Sequence, residues 1–163
     1  MLHNNRILKF ILRPFLLIVP FFIFSACSEE EIDEIKPEIT IDFVGGFPQA
    51  CDQLQRGQTY TFSARVSDNL ELAAYSIDIH HNFDHHTHDD QEGDCELDPK
   101  KSPEFPWIYM ENFRIEPGLT SYDFKVVVTI PEDIDVGDYH CGYSVTDVTG
   151  WQSRTSIDFK IVE

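Results

Sequence analysis

Apolar side chains in this chain recur at every second position and almost nowhere at every third or fourth. A period of two sends alternate residues to opposite faces of an extended strand, and it cannot line one face of a helix. The pattern returns along the whole second part of the chain. Ile39, Ile41 and Phe43 open it and stop at Gly45-Gly46-Phe47-Pro48. Tyr60, Phe62, Ala64 and Val66 follow, ending at Asp68-Asn69, and Ala73, Tyr75, Ile77 and Ile79 come next. Trp107 to Phe113 is a weaker, partly apolar run. Tyr122, Phe124, Val126, Val128 and Ile130 stop at Pro131; Tyr139, Cys141, Tyr143 and Val145 stop at Asp147 and Gly150; Ile157, Phe159 and Ile161 finish the series. Short alternating runs separated by turn residues predict an all-β chain, an immunoglobulin-like antiparallel β-sandwich of about seven strands. A length of 163 residues favours one such domain.

The first 26 residues stand apart from this pattern. They carry Arg6, Lys9 and Arg13 and no acid, then an apolar stretch from Phe15 to Phe24 broken once by Pro20. A basic start, a short apolar core and small residues before a cut describe a signal peptide. The run is shorter than the roughly 20 residues that a spanning helix needs. The cut region, Phe24-Ser25-Ala26-Cys27, resembles the lipobox of bacterial lipoproteins, with Phe24 where that motif usually has Leu. The resemblance implies lipidation of Cys27. Ser28-Glu29-Glu30-Glu31-Ile32-Asp33-Glu34 then resembles the acidic export tag of Bacteroidota surface lipoproteins, which implies anchoring in the outer membrane with the domain facing outward. The expected layout is a leader over 1–26, an acidic tether over 27–37 and the sandwich over 38–163.

Charge narrows the partners. The formal net charge is −17, and loss of the leader's three cationic residues takes it to −20. Such an acidic surface repels nucleic acid and anionic headgroups and favours cations. A surface protein or a glycan remains a possible partner. A hydrophobic content of 42% still provides a core. An exported chain meets an oxidising compartment, where cysteines pair. Cys51 and Cys95 lie in polar, loop-like surroundings and are expected to form a disulfide, whereas Cys141 sits on the buried phase of a strand and is expected to stay a free thiol. Closing a loop of that size stabilises a fold by about 4 kcal/mol in the chain-entropy model.

One stretch breaks the sandwich pattern. Residues 80–106 form a long insertion after the third strand, rich in His, Asp, Glu and Pro, and loops of that length in a compact domain usually serve a function or are disordered. It holds His80, His81, His85, His86 and His88, and the one other histidine beyond the leader is His140. Neutral imidazole ligates first-row metals, and several must converge for tight binding. The third strand buries its odd positions, so His80 points to the outer face, and His86 and His88 follow on that face if the register continues. The sixth strand buries Tyr139 and Cys141, which sends His140 outward as well. In an immunoglobulin-like sheet these two strands are antiparallel neighbours, so His80 and His140 meet at about 5 Å. The segment after His80 can fold over them and bring in His85, His86 or His88. Zinc is the expected ion, with copper or nickel as alternatives, and binding should weaken below about pH 6 as imidazoles take protons. The bland alternative is a solvated histidine-rich loop. The acids Asp84, Asp89, Asp90, Glu92, Asp94, Glu96 and Asp98 lack EF-hand spacing and read mainly as a solvated face.

Phe62 to Ile79, and Gly137-Asp138-Tyr139 through Asp147-Val148-Thr149-Gly150-Trp151, resemble the strands and turns of bacterial Ig-like modules. Such modules occur in many adhesive and carbohydrate-active proteins, so the likeness implies a fold and no activity. The combination of Ile79 to His88, Cys95-Glu96-Leu97-Asp98-Pro99-Lys100-Lys101 and Gly137-Asp138-Tyr139-His140 resembles an uncharacterised Bacteroidota family of small lipoproteins, a domain of unknown function. His86-Thr87-His88 invites comparison with copper,zinc superoxide dismutases, but the separate zinc-site pattern of that family is not evident. A blue-copper centre would need an accessible cysteine, and Cys141 is expected to be buried. No phosphate loop, His-Glu-x-x-His helix or nucleophile elbow occurs. The expectation is therefore a non-enzymatic metal-binding surface lipoprotein, with an Ig-like adhesion or assembly module, using aromatics such as Trp107, Tyr109 and Trp151, as the alternative.

Overall fold

A computed structural model describes residues 32–88, 91–92 and 95–163 of the chain. The leader and Cys27 lie outside the described residues, as do Asp89, Asp90 and Asp94. Among the described residues there are nine strands and no helix. They are β1 (Glu38–Thr40), β2 (Gln53–Gln55), β3 (Thr59–Ser67), β4 (Leu72–His81), β5 (Gln91–Glu92), β6 (Ile108–Arg114), β7 (Ser121–Thr129), β8 (Gly137–Asp147) and β9 (Gln152–Val162). The seven runs of alternating residues become β1, β3, β4, β6, β7, β8 and β9. The two extra strands, β2 and β5, are too short to show a period.

The strands form the two layers of an immunoglobulin-like sandwich. One sheet has the order β1-β3-β7, and the other β2-β9-β8-β4-β6, with β5 also pairing β9. Pairing is antiparallel except where β2 and β5 run parallel to β9. The core between the sheets collects the phases read from the sequence: Phe62, Ala64 and Val66; Ile77 and Ile79; Phe124, Val126 and Val128; Tyr139, Cys141 and Tyr143; Ile157, Phe159 and Ile161. One phase is corrected near the start of β4. A register shift between Leu72 and Ala74 turns Leu72 into the core and leaves Ala73 only half-buried. A bulge of this kind re-aims the residues beside it without disturbing the rest of the ladder.

Alternation of burial fails at one end of β8 and in the middle of β9. Asp138, His140, Ser156 and Asp158 lie on the outer phase yet are buried. The insertion covers them. Asn82 N–H donates to the Asp138 carbonyl, Asp98 N–H donates to the Asp138 carboxylate, and Gln91 pairs with Ser156. Phe83, itself buried, packs edge-on against Tyr139 at 5.5 Å and carries Lys101 Nζ over its ring at 4.2 Å. The Cys51–Cys95 disulfide forms as expected, with Cα atoms 5.4 Å apart, and Cys141 is a buried free thiol. Burial pushes the Cys141 thiol far up from its ordinary value, so it is inert as a nucleophile or ligand. Trp107 and Tyr109 are half-buried against the core, while Trp151 is exposed.

Candidate metal centre

β4 and β8 pair in register so that His80 lies directly opposite His140, as two adjacent antiparallel strands require. Both side chains leave the sheet on its outer face. The chain then turns back on itself after β4. His85 N–H donates to the Asn82 carbonyl, and His85 adopts a left-handed backbone with φ of 59°. That turn reverses the segment, so His86 and His88 return over the sheet although the strand has ended at His81.

The result is a cluster of four imidazoles in mutual contact. Ring centroids of His80, His86, His88 and His140 lie between 4.7 and 5.5 Å apart in every pairing. Three of the four converge through the same atom. His80 Nε2 is 3.1 Å from His86 Nε2 and 3.3 Å from His88 Nε2, and one nitrogen from each of the three lies within 4.8 Å of the others. A metal–nitrogen bond of about 2.0–2.1 Å sets ligand nitrogens about 2.9 Å apart at a right angle and about 3.4 Å apart at a tetrahedral one. The two measured separations fall inside that interval.

The opposite ring nitrogens are held by carboxylates. His80 Nδ1–H donates to Asp78 Oδ1 at 3.2 Å, and His86 Nδ1–H donates to Asp84 Oδ1 at 2.7 Å. The hydrogen bond from His86 holds Asp84 below the usual carboxylate range. A carboxylate can only accept, so these bonds place the proton of each neutral ring on Nδ1 and leave a lone pair on Nε2. Two lone pairs facing each other at 3.1 Å repel unless a cation lies between them. Carboxylate–histidine pairs oriented in this way are what a metal site uses to fix ring direction and raise ligand basicity.

His140 has a different place from the one expected. Instead of standing exposed on the outer face it is fully buried, because the 83–88 segment folds over it. Its Nδ1 lies 2.5 Å from Asp158 Oδ1 on β9, and its Nε2 lies 3.2 Å from the His86 carbonyl oxygen. Burial holds this imidazole below its ordinary range against the pull of Asp158. His140 forms the floor of the cluster, while the convergent set is His80, His86 and His88. His85 is a second correction. Its left-handed turn sends the ring away, and Nε2–H donates to the Asp98 carbonyl at 2.9 Å. His81, on the opposite phase from His80, stacks on Phe83 at 4.8 Å and takes no part in the cluster.

Asp78, Asp84 and Asp158 are the functional residues that sequence reasoning missed as orienting groups. Asp78 and Asp84 each precede their histidine by two, a spacing that shares one face in extended chain and was open to reading. Asp158 is the cross-strand partner of His140 and becomes visible only with the β8–β9 register. His80 and His88 also wall a groove of about 300 Å³, with Asp78, Met110, Tyr143 and Arg154 among its other residues, so the cluster is reachable from solvent.

The comparisons with known proteins add a family and a distant structure. A family model described as a domain of unknown function (DUF4625) matches residues 24–162. No curated protein matches. Among solved structures, the crystal structure of the sporulation control protein Spo0M from Bacillus subtilis is similar over 78% of this chain at 10% identity, with a TM-score of 0.40. The chain covers 49% of that protein, about half its length.

Proposed function

Since the chain belongs to the DUF4625 family, to which no activity attaches, we propose from the site geometry that it binds a transition metal ion, zinc first, through His80, His86 and His88. The observation that carries this reading is the convergence of three Nε2 atoms, two of them backed by a carboxylate at Nδ1. Imidazole suits zinc, copper and nickel alike. A tetrahedral preference and the absence of any thiolate among the converging groups favour zinc over copper(I). His140 supports the site from below, its ring edge-on to His86 at 4.9 Å and its Nδ1 2.5 Å from Asp158 Oδ1. The groove beside His80 and His88 leaves a coordination position facing solvent, which suits capture and release of the ion.

The leader, the lipobox-like Phe24-Ser25-Ala26-Cys27 and the acidic run after it support export and lipid attachment at Cys27, with the domain displayed outside the outer membrane. Replacing Cys27→Ser should then release the protein from the membrane fraction. The adhesion alternative draws on one observation: β6 is the edge strand of its sheet and exposes Ile108 and Met110 on its outer side.

The metal reading is tested on tag-free protein purified without added metal. Elemental analysis and a zinc titration followed by thermal unfolding should show one equivalent bound. A ligand held at a hundredfold excess over Kd stabilises by about 2.7 kcal/mol, which shifts Tm by about 8–10 °C in a domain of this size. His80→Ala and His86→Ala should each abolish that shift. A zinc response that persists in both variants sinks the proposal.

A further inference from the structure

We infer a second cation site at the other end of the sandwich, a hard-oxygen site for calcium formed by Asp33, Asp68 and Asp147. One carboxylate oxygen from each residue lies within 4.8 Å of the other two. That spread is within the reach of two calcium–oxygen bonds of about 2.4 Å. The three residues come from different parts of the chain: Asp33 precedes β1, Asp68 follows β3, and Asp147 ends β8.

The fold fixes these carboxylates without neutralising them. Asp147 is 2% exposed, and its Oδ1 accepts four hydrogen bonds, from the N–H groups of Thr149, Gly150 and Trp151 and from Thr149 Oγ1. Its other oxygen, Oδ2, is buried and meets no donor. Asp68 repeats the arrangement. Its Oδ2 accepts from Leu70 N–H, while Oδ1 is buried without a donor. Asp33 closes the group: its Oδ1 accepts from Asn69 Nδ2 and Ile35 N–H, its Oδ2 shares the Thr149 hydroxyl with Asp147, and Trp151 Nε1–H donates to its carbonyl. Among the described residues, no ion pair reaches any of the three. Lys36 Nζ lies instead 5.6 Å over the Trp151 ring.

A buried carboxylate oxygen without a donor is costly, and a second one beside it adds repulsion. Two such oxygens, on Asp68 and Asp147, with the Asp33 carboxylate beside them, match the first shell of a divalent cation with hard oxygen ligands. Three carboxylates and no nitrogen or sulfur select calcium over zinc. The ion would fasten the segment that enters β1 to the β3–β4 and β8–β9 turns. This site does not rest on the imidazole cluster.

The test is thermal unfolding of the purified chain with calcium chloride up to about 10 mM, the range of weak calcium modules. At ten times Kd the expected rise in Tm is about 5 °C, reversed by chelation. Asp68→Asn keeps an acceptor for Leu70 N–H and replaces the free oxygen by a donor, so the rise should vanish. Asp33→Asn, at a half-buried position ahead of β1, provides a second variant should Asp68→Asn fail to fold, and it should lose the rise too. In His80→Ala the calcium response should be unchanged. No rise in the unsubstituted chain overturns the inference, as does a rise that survives in both aspartate variants.

Discussion

β4 and β8 run side by side through the sandwich, and the two ends of this one ladder carry different chemistry. At one end His80 faces His140; at the other, Asp147 closes β8 beside Asp68, which lies just ahead of β4. Asp147 lies seven positions beyond His140 on β8, about 23 Å of extended chain. The carboxylate end is built from tight turns whose own N–H groups orient each side chain. The imidazole end cannot be closed that way. The sheet supplies His80 and the His140 floor, but His86 and His88 arrive from a long insertion that must first be pinned by Phe83, by the Asp138 hydrogen bonds and by a disulfide. The rigid ladder thus provides one anchor per end, and the connections decide whether nitrogen or oxygen gathers around it. Turn-built sites should tolerate loss of distant supports, whereas an insertion-built site should not.

The largest effect should come from the disulfide. Cys51 and Cys95 are 44 residues apart, and Cys51 N–H donates to the carbonyl of Asp158, the residue that holds His140. The paired change Cys51→Ser and Cys95→Ser should lower stability by about 4 kcal/mol, read by urea unfolding. Zinc affinity should fall with it, since the return limb of the insertion loses its fastening. Calcium affinity should stay where it was. An equal loss at both ends would break the contrast between turn-built and insertion-built sites.

A smaller effect sharpens the imidazole end itself. Asp78→Asn and Asp84→Asn keep the size of the side chain but can turn a donor toward Nδ1, which moves the ring proton to Nε2. Removal of such an orienting partner costs about 10–100-fold in metal affinity. Zinc titration of the two variants checks it, and unchanged affinity in both would show that the carboxylates do not set the tautomers. Neither change should alter overall stability much, because both carboxylates are substantially exposed.

How much of this could be read from the sequence follows from the same physics. Period-two alternation carries its own face assignment, so the sandwich, the buried Cys141 and the outward phase of His80 were all legible. The His80–His140 contact was legible too, because it needs only the neighbouring of two strands. His86 and His88 reach the cluster by a route that register alone does not describe: the strand ends, and a left-handed residue at His85 turns the chain back. No pattern in the sequence marks that turn, and the same turn is why His85 leaves the site. Burial of His140 was hidden for a related reason, since it depends on what the insertion covers. The Asp147 turn was visible as a strand stop, but its meeting with Asp33 and Asp68 requires the three-dimensional fold.

The smallest predicted effect tests whether the two ends are independent. Tyr143 lies on β8 between His140 and Asp147, is buried, and its hydroxyl donates to the Phe47 carbonyl at 2.6 Å. Burial raises this phenol well above its ordinary range, so it stays protonated and a donor throughout the working pH range. Tyr143→Phe removes the hydrogen bond while keeping the ring that packs edge-on against Phe124 at 5.3 Å. The Phe47 carbonyl is not orphaned by the change, because Ser63 N–H still donates to it at 2.9 Å. The cost should therefore be that of one hydrogen bond with its acceptor still satisfied, about 1 kcal/mol, seen as a fall of a few degrees in Tm. The zinc and calcium shifts, each measured relative to the variant's own Tm, should be unchanged. If either shift moves, the ladder transmits strain between its ends, and each site must be analysed as part of one coupled unit.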